Sequence, residues 1–126
     1  MKNTKEIGNL GEDLACKYLV SKGFEIIGRN YRKFFGEIDI IAKKGKRTYF
    51  FEVKTVTREN INEEMTGYRP EDNLHPAKLQ KLIKTINYYL LEKKLGEGEW
   101  QLDGLTILLD TKNKKAKINR IENIVL

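Results

Sequence analysis

The chain of 126 residues carries 24 Lys and Arg against 18 Asp and Glu, a formal net charge of +6, with 40% hydrophobic and 33% charged residues. This length predicts a single domain over 1–126, and this composition excludes a disordered chain. No apolar run approaches the roughly 20 residues that a membrane-spanning helix needs. The basic charge favours polyanionic partners such as nucleic acid.

The cysteine content and the N-terminus bear on cellular location. Cys16 is the one cysteine, so no internal disulfide forms, as is usual for proteins of the reducing cytoplasm. The polar N-terminus contains no apolar signal segment. We therefore expect a cytoplasmic protein with no membrane partner.

Hydrophobic periodicity and turn residues predict seven elements in chain order. They are a helix over 4–22, strands over 24–31, 36–42 and 48–54, a helix over 76–94, and strands over 102–109 and 116–121. Asn3 and Glu6 suit a capping pair for the first helix, and Gly23 suits its C-terminal end. The polar segment 55–74 lacks periodicity, which predicts a long loop of functional or mobile character.

The connections between these elements predict the fold class. Residues 43–46 form a typical hairpin connection, so the second and third strands should pair antiparallel. The helix between the third and fourth strands is long enough for a parallel crossover. The sequence therefore predicts an α/β fold, with a mixed sheet flanked by helices.

Polar side chains interrupt the second and third strands. Residues two apart on a strand face the same way, so Glu52 and Lys54 should project from one face and Phe51 and Val53 from the other. If the hairpin brings Asp39 beside Glu52, two carboxylates meet near an ammonium, and they repel unless a cation is bound. Carboxylate oxygens suit Mg²⁺ or Mn²⁺, with the Val53 carbonyl as a further oxygen ligand.

Such a group of side chains supports phosphodiester hydrolysis, in which a metal stabilises charge on the phosphate and activates water. Lys54 would orient that water or stabilise the developing charge. A surface salt bridge of Asp39 or Glu52 with Lys54 is the competing interpretation of the same pattern.

Glu12 is a further candidate on the first helix, at the edge of its apolar stripe. Gly8 and Gly11 flank it, and each glycine costs helix stability by about 1 kcal/mol relative to alanine. These glycines make sense if this face of the helix must approach the sheet or a ligand. Tight packing alone is the alternative explanation.

Several short blocks follow one another in an order that resembles a known family. They are Gly8, Gly11-Glu12, Ala15, Tyr18-Leu19, Gly23-Phe24, Arg29-Asn30-Tyr31-Arg32, Gly36-Glu37-Ile38-Asp39-Ile40-Ile41-Ala42 and Phe50-Phe51-Glu52-Val53-Lys54. The pattern is similar to the small endonuclease-like bacterial family often labelled YraN, of the PD-(D/E)XK nuclease superfamily, and to archaeal Holliday-junction resolvases. The resemblance covers nearly the whole chain.

The resemblance implies a restriction-endonuclease-like αβββαβ core, with Asp39, Glu52 and Lys54 in the catalytic positions. Glu12 corresponds to the acidic residue that the resolvase branch supplies from its first helix. The expected ligands of Mg²⁺ or Mn²⁺ are therefore Glu12, Asp39, Glu52 and the Val53 carbonyl.

The leading hypothesis is a metal-dependent endonuclease acting on DNA, with branched or structured DNA among its expected substrates. A non-catalytic nucleic-acid-binding module on the same fold is the alternative, and Thr55 leans towards it, because the family usually has a basic residue there. A protein-interaction subunit that docks through segment 55–74 is a third interpretation. A homodimer is also open, since the resembling resolvases cut two strands symmetrically.

Other side chains receive less specific interpretations. Glu37 shares the face of Asp39 and is interpreted as a solvent-facing acid, with a partner of the site's ligands as the alternative. His75 is interpreted as a residue at a helix start, with a phosphate contact as the alternative if segment 55–74 folds over the site. Tyr88 and Tyr89 are expected in the core. A set of basic residues would either line a groove beside the site or lie in solvent: Arg29, Arg32, Lys33, Lys43, Lys44, Lys46 and Arg47.

Overall fold

The computed structural model describes residues 3–57, 76–96 and 98–124. Its helices and strands are α1 (Thr4–Ser21), β1 (Glu25–Lys33), β2 (Gly36–Lys44), β3 (Arg47–Thr57), α2 (Pro76–Glu92), β4 (Trp100–Asp110) and β5 (Lys115–Ile121). These elements confirm the order predicted from the sequence. No helix in the described ranges is long and apolar enough to cross a membrane.

The ends of α1 follow the predicted local signals. The Asn3 side chain accepts a 2.8 Å hydrogen bond from the Glu6 backbone amide and caps the helix. At the other end Gly23 has a φ of 91°, a left-handed conformation that ends the helix at little cost.

The main correction concerns the end of β3. The sequence assigns Thr55 to a loop over 55–74, but β3 continues to Thr57, where it still pairs with Leu109 of β4. A neighbouring strand supplies hydrogen bonds that extend β3 past the point where its own pattern fades. The rest of that predicted loop, together with His75, lies outside the described residues.

A five-stranded sheet runs in the order β1-β2-β3-β4-β5. Neighbouring strands are antiparallel except β3 and β4, which are parallel, with α2 between them in the chain. The predicted hairpin, parallel crossover and α/β fold with a mixed sheet are confirmed. Two-residue turns, Phe34-Phe35 and Gly45-Lys46, close the first two hairpins.

Each helix covers one face of the sheet. The face under α1 has a buried cluster of Ala15, Leu19, Phe24, Ile40, Ala42, Phe51, Leu105, Ile107 and Leu109. The face under α2 has a second cluster of Ile38, Ile41, Phe50, Leu82, Ile86, Tyr89, Leu90 and Leu102. Because β2 and β3 are covered on both faces, a polar side chain within them is costly unless it has a partner.

The expectation that both tyrosines of α2 lie in the core is wrong for one of them. Tyr89 is 6% exposed, whereas Tyr88 is 43% exposed. Successive helix residues point about 100° apart, so the stripe that buries Tyr89 leaves Tyr88 at its edge.

Gly11 allows α1 to approach β3 closely. A side chain at Gly11 would overlap Thr55, whose Cγ2 lies 2.7 Å from the position that a Cβ would occupy. At Gly8, by contrast, nothing lies within 4 Å of that position. The close approach predicted from these glycines is therefore confirmed at Gly11, and it brings Glu12 against β3.

Gly36 has the same role for α2. A Cβ there would overlap the Thr85 side chain and lie 3.1 Å from the Lys81 carbonyl oxygen. The first half of α2 therefore crosses the start of β2, near Asp39.

Asp103 of β4 is fully buried. Its Oδ2 accepts a 2.9 Å hydrogen bond from Arg120 Nε. Its Oδ1 accepts hydrogen bonds from Gln101 Nε2 at 2.8 Å and from the Asn123 amide at 2.9 Å. Arg120 Nη2 also lies 2.8 Å from Oδ2. These hydrogen bonds connect β5 and the segment after it to β4.

Candidate active site

Asp39 of β2 and Glu52 of β3 line one pocket of about 260 Å³. The first turns of α2 form its other wall, with Lys78, Lys81 and Leu82. The structure therefore brings together the two carboxylates that the hairpin was expected to place side by side. We call this space the carboxylate pocket.

Asp39 is half-buried and is held by a neighbouring strand. Its Oδ2 accepts a 2.8 Å hydrogen bond from the Val53 amide. Burial raises the pKa of Asp39 from 3.8 to about 8, and the nearby charge of Glu52 adds to the rise, with smaller contributions from Glu12 and Glu37. The hydrogen bond from Val53 acts in the opposite direction.

Glu52 forms an ion pair across the carboxylate pocket. Lys78 Nζ lies 2.9 Å from Glu52 Oε1, with the Glu52 side chain 15% exposed and that of Lys78 54% exposed. Its ion-pair partner is thus on α2, and is not Lys54 as the competing interpretation of the sequence held. The Glu52 charge is thus offset by this ammonium group.

Val53 and Lys54 line a second cleft, of about 270 Å³, between α1 and the end of β3. Glu12 lines the same cleft. Val53 also donates its amide to Asp39, so the two clefts adjoin at that hydrogen bond. Of the four residues proposed as a site, Asp39 and Glu52 therefore line one cleft, whereas Glu12 and Lys54 line the neighbouring one.

Glu12 has an incompletely satisfied carboxylate. Its side chain is 17% exposed, and its buried Oε1 has no hydrogen-bond partner within the described part of the chain. Arg29 Nη2 lies 3.6 Å from that oxygen and is directed to Asp13 Oδ1 at 2.9 Å. Burial raises the pKa of Glu12, although the charge of Arg29 and the polar side chain of Asn30 oppose the rise.

Glu37 lies beside the candidate site, in agreement with the alternative interpretation of its sequence position. It lines the carboxylate pocket beside Asp39, and its Oε1 lies 3.2 Å from Arg32 Nη2 with the Glu37 side chain 35% exposed. Its charge also contributes to the raised pKa of Asp39. Glu37 is therefore a neighbour of the candidate site.

The basic residues near β1 and β2 divide into two groups. Arg29 and Arg32 contact acidic side chains of the two clefts. Arg47 instead pairs with Glu99, and Lys44 donates to the Lys22 carbonyl, at the opposite end of the β2–β3 hairpin. Lys43 and Lys46 lie at that same end, so these four residues do not line a groove beside the site.

The oxygen donors suit a hard divalent cation in chemical type. Within 3–57, 76–96 and 98–124, no three Asp, Glu, His or Cys side chains converge as a ready metal centre. Mg²⁺, however, is commonly held by one or two carboxylates, with waters and substrate phosphate completing its ligands. Asp39 and Glu52 supply that pair, and the buried Glu12 Oε1 is an oxygen that a cation would satisfy.

Sequence reasoning missed the lysines of α2 as members of the site. Lys78 and Lys81 lie off the apolar stripe of the helix, which predicted only that they would not be in the core. Their place beside Asp39 depends on where α2 crosses β2 at Gly36. A run of lysines on one flank of this helix was the available signal.

The fold and the carboxylate pocket define an α/β protein of mixed sheet, consistent with a restriction-endonuclease-like core. The chain belongs to the family described as uncharacterised protein family UPF0102, whose model matches residues 11–124. This match confirms the small bacterial family that the sequence blocks resemble, and it assigns no activity to that family. The matched residues include every predicted site residue from Glu12 to Lys54.

Individual relatives match over most of their length. A UPF0102 protein of Campylobacter lari is 45% identical over 117 residues, which cover 93% of this chain and 91% of that protein. Another of Campylobacter fetus subsp. fetus is 40% identical over 117 residues, with 93% and 91% covered. A third, of Dictyoglomus turgidum, is 40% identical over 112 residues, with 89% and 90% covered.

Proposed function

We propose that this protein is a metal-dependent endonuclease of the PD-(D/E)XK type that hydrolyses phosphodiester bonds in DNA. The observation that carries the proposal is the pairing of Asp39 and Glu52 in one pocket beneath the lysines of α2. Carboxylates suited to a cation stand there beside ammonium groups suited to phosphate, the two requirements of this chemistry. The net charge of +6 favours a polyanionic substrate.

Each residue has a defined role in this proposal. Asp39 and Glu52 hold Mg²⁺ or Mn²⁺, and Glu12 and the Val53 carbonyl are the further oxygen donors. When bound, the cation would stabilise charge on the phosphate and lower the pKa of an attacking water. The Val53 amide keeps Asp39 in one orientation through its 2.8 Å hydrogen bond.

The lysines act on the substrate. Lys54 is exposed at the margin of the adjoining cleft, where it orients water or stabilises the developing negative charge. Lys78 and Lys81 attract the phosphate backbone to the carboxylate pocket.

The test is cleavage of supercoiled plasmid and of labelled duplex, branched and single-stranded DNA, with Mg²⁺ or Mn²⁺ and with EDTA. Wild type is compared with Asp39→Asn and Glu52→Gln. The matched control is Glu25→Gln, an exposed acid of β1 that pairs with Lys43 at the other end of the hairpin. We expect metal-dependent cleavage that falls at least about 100-fold in both site variants and is unchanged in the control. Activity that persists in both site variants contradicts the proposal.

A non-catalytic DNA-binding module is the second candidate, and the ion pair of Glu52 with Lys78 favours it. An ammonium group 2.9 Å from Glu52 Oε1 competes with a cation for that oxygen. In addition, Thr55 packs against Gly11 and leaves no basic side chain directly after Lys54. Such a module would bind DNA with a steep salt dependence. Calorimetric titration with Mn²⁺ separates the two candidates, because only the nuclease should show Mn²⁺ affinity that Glu52→Gln removes.

A further inference from the structure

The turn between β1 and β2 consists of two phenylalanines, Phe34 and Phe35. Neither phenylalanine has a positive φ, so the backbone of this turn requires neither a glycine nor an aromatic residue. Phe34 is 100% exposed, so core packing does not account for its side chain either. Neither the turn nor the core explains why this position is aromatic.

Phe34 belongs to a group of three rings in contact that extends onto α2. The Phe34 ring stands edge-to-face with Phe35 at a centroid distance of 5.0 Å, and Phe35 with Tyr88 at 5.5 Å. We call these three rings the aromatic tip. Phe35 packs against Tyr88 of α2, and Phe34 contacts Phe35 while its own side chain is exposed to solvent.

Cationic side chains flank the aromatic tip, and two of them also have acidic partners: Lys33 Nζ lies 3.4 Å from Glu92 Oε2, and Arg32 Nη2 lies 3.2 Å from Glu37 Oε1. Lys84 Nζ lies 5.0 Å from the Phe35 ring centroid, and Lys33 Nζ lies 5.1 Å from that of Tyr88. Arg32, with its side chain 72% exposed, lies next to the turn. Exposed rings among cations are the combination with which proteins hold single-stranded nucleic acid, since cations contact phosphates and rings stack on bases.

The aromatic tip also adjoins the carboxylate pocket. A shallow groove of about 310 Å³ runs past Arg32, Lys33, Phe34 and Phe35 to Lys81. Gly36, Glu37 and Lys81 line both this groove and the carboxylate pocket. A strand whose base contacts Phe34 would therefore have its neighbouring phosphates directed towards Asp39 and Glu52.

We propose that the aromatic tip stacks on an unstacked base of a single-stranded nucleic acid segment, with the flanking phosphates in the adjoining basic groove. This inference rests on the proposed function, because both require a nucleic acid ligand. The substrate would be a nucleic acid that contains a single-stranded segment. Paired bases in a continuous duplex are stacked on one another and offer no free face to Phe34. The surrounding lysines and arginine favour this polyanion over an apolar protein surface.

The experiment measures binding by fluorescence anisotropy in EDTA, with Asp39→Asn as the parent so that no cleavage occurs. The probes are labelled oligodeoxythymidylate and oligouridylate about 16 nucleotides long, and a DNA duplex of the same length. Phe34→Ala, Phe34→Leu and Phe34→Trp are compared with the parent. Val20→Ala, which alters a 59% exposed apolar residue on α1, is the matched control.

We expect Phe34→Ala and Phe34→Leu to weaken binding of at least one single strand by roughly 5- to 100-fold, the range of base–aromatic stacking. Phe34→Trp should bind as the parent does, and Val20→Ala and all duplex binding should change little. Leucine separates stacking from general hydrophobicity, because it is apolar without a flat ring. A 2-aminopurine in the thymidylate strand should be quenched by the parent and less by Phe34→Leu.

Equal loss for single strand and duplex, or parent-like binding by Phe34→Leu, would overturn the inference. So would a change from dimer to monomer in light scattering with Phe34→Ala at unaltered DNA affinity, which would assign the tip to contact between two copies. The experiments distinguish failure of the proposed nuclease function from failure of the stacking proposal. Phe34-dependent binding without any metal-dependent cleavage supports this inference alone, whereas Asp39-dependent cleavage with parent-like Phe34→Leu binding supports the nuclease alone.

Discussion

The Asp39 carboxylate accepts a 2.8 Å hydrogen bond from the Val53 amide, and this bond joins the two clefts of the candidate site. Regular pairing of β2 with β3 extends from the hairpin to Ile40 opposite Phe51, so the Asp39 side chain bonds to an amide just beyond that ladder. The bond fixes the orientation of the carboxyl group and favours its ionised form. An asparagine can keep the acceptor oxygen, which makes Asp39→Asn a test of charge in nearly unchanged geometry.

Asp39 should make the stability of the protein fall as pH rises when no divalent metal is bound. Its pKa is raised from 3.8 to about 8, so between these values the folded state keeps a proton that the unfolded chain has lost. The stabilising contribution is complete below about pH 4 and is lost as pH rises through about 8. Relative to wild type, Asp39→Asn should therefore gain stability with rising pH, by on the order of a few kcal/mol.

Urea denaturation in EDTA at about pH 5, 7 and 9 measures this difference. Glu25→Gln, an exposed acid on β1, should follow the wild-type curve. A stability difference between Asp39→Asn and wild type that does not vary with pH would show that Asp39 titrates normally.

Removal of the Lys78 charge should raise the affinity for Mn²⁺. Lys78 Nζ lies 2.9 Å from Glu52 Oε1 and both repels a cation and occupies the oxygen. Because the lysine side chain is 54% exposed, the pair is screened, and we expect a modest gain for Lys78→Gln of about 2- to 5-fold. Calorimetric titration measures it, with Lys84→Gln of the same helix as the control. A loss of Mn²⁺ affinity in Lys78→Gln would mean that the lysine supports the metal site.

Much of the fold follows from patterns that the chain carries locally. Phe51 and Ile40 belong to strongly apolar strands, and Gly45 sits at the predicted turn with a φ of 63°. The end of β3 does not follow from such a pattern, because Thr57 is held in the strand by its pairing with Leu109.

The candidate site shows the same division between local and long-range information. Period-two alternation and the hairpin sufficed to bring Asp39 and Glu52 together. The partner of Glu52 was not foreseeable, because Lys78 reaches it only through the crossing of α2 over Gly36. The separation of Glu12 from Asp39 and Glu52 likewise depends on which helix covers each face of the sheet, and strand alternation does not contain that information.

Gly11→Ala should destabilise the protein, whereas Gly8→Ala should not. A Cβ at position 11 would overlap Thr55, with Cγ2 at 2.7 Å and Cβ at 2.8 Å, and forcing α1 off the sheet costs about 1–3 kcal/mol. At Gly8 there is open space, so alanine should add up to about 1 kcal/mol through helix propensity. Thermal or urea unfolding compares the two variants within one helix.

The second half of that test is a rescue. Thr55→Ala removes the Oγ1 and Cγ2 atoms that a Cβ at position 11 would overlap, so Gly11→Ala with Thr55→Ala should lose less stability than the sum of the single variants. Strict additivity would contradict the contact. Glu12 follows Gly11 directly, so Mn²⁺ affinity in the rescued variant also reports whether the close approach of α1 matters to the site.

Loss of Asp103 should destabilise the folded protein without removing a residue of the candidate site. Its fully buried carboxylate lies 2.8 Å from Arg120 Nη2 and accepts a 2.9 Å hydrogen bond from the Asn123 amide. Removing it leaves the largely buried guanidinium with the exposed Glu122 in place of its buried partner. We expect Asp103→Ala to lower the free energy of unfolding by about 3–5 kcal/mol.

Glu122 is the matched control, because it also pairs with Arg120, at 3.2 Å, but its side chain is 66% exposed. Glu122→Ala should cost less than about 1 kcal/mol in urea denaturation. Similar losses in the two variants would mean that burial does not set the strength of the Asp103–Arg120 pair.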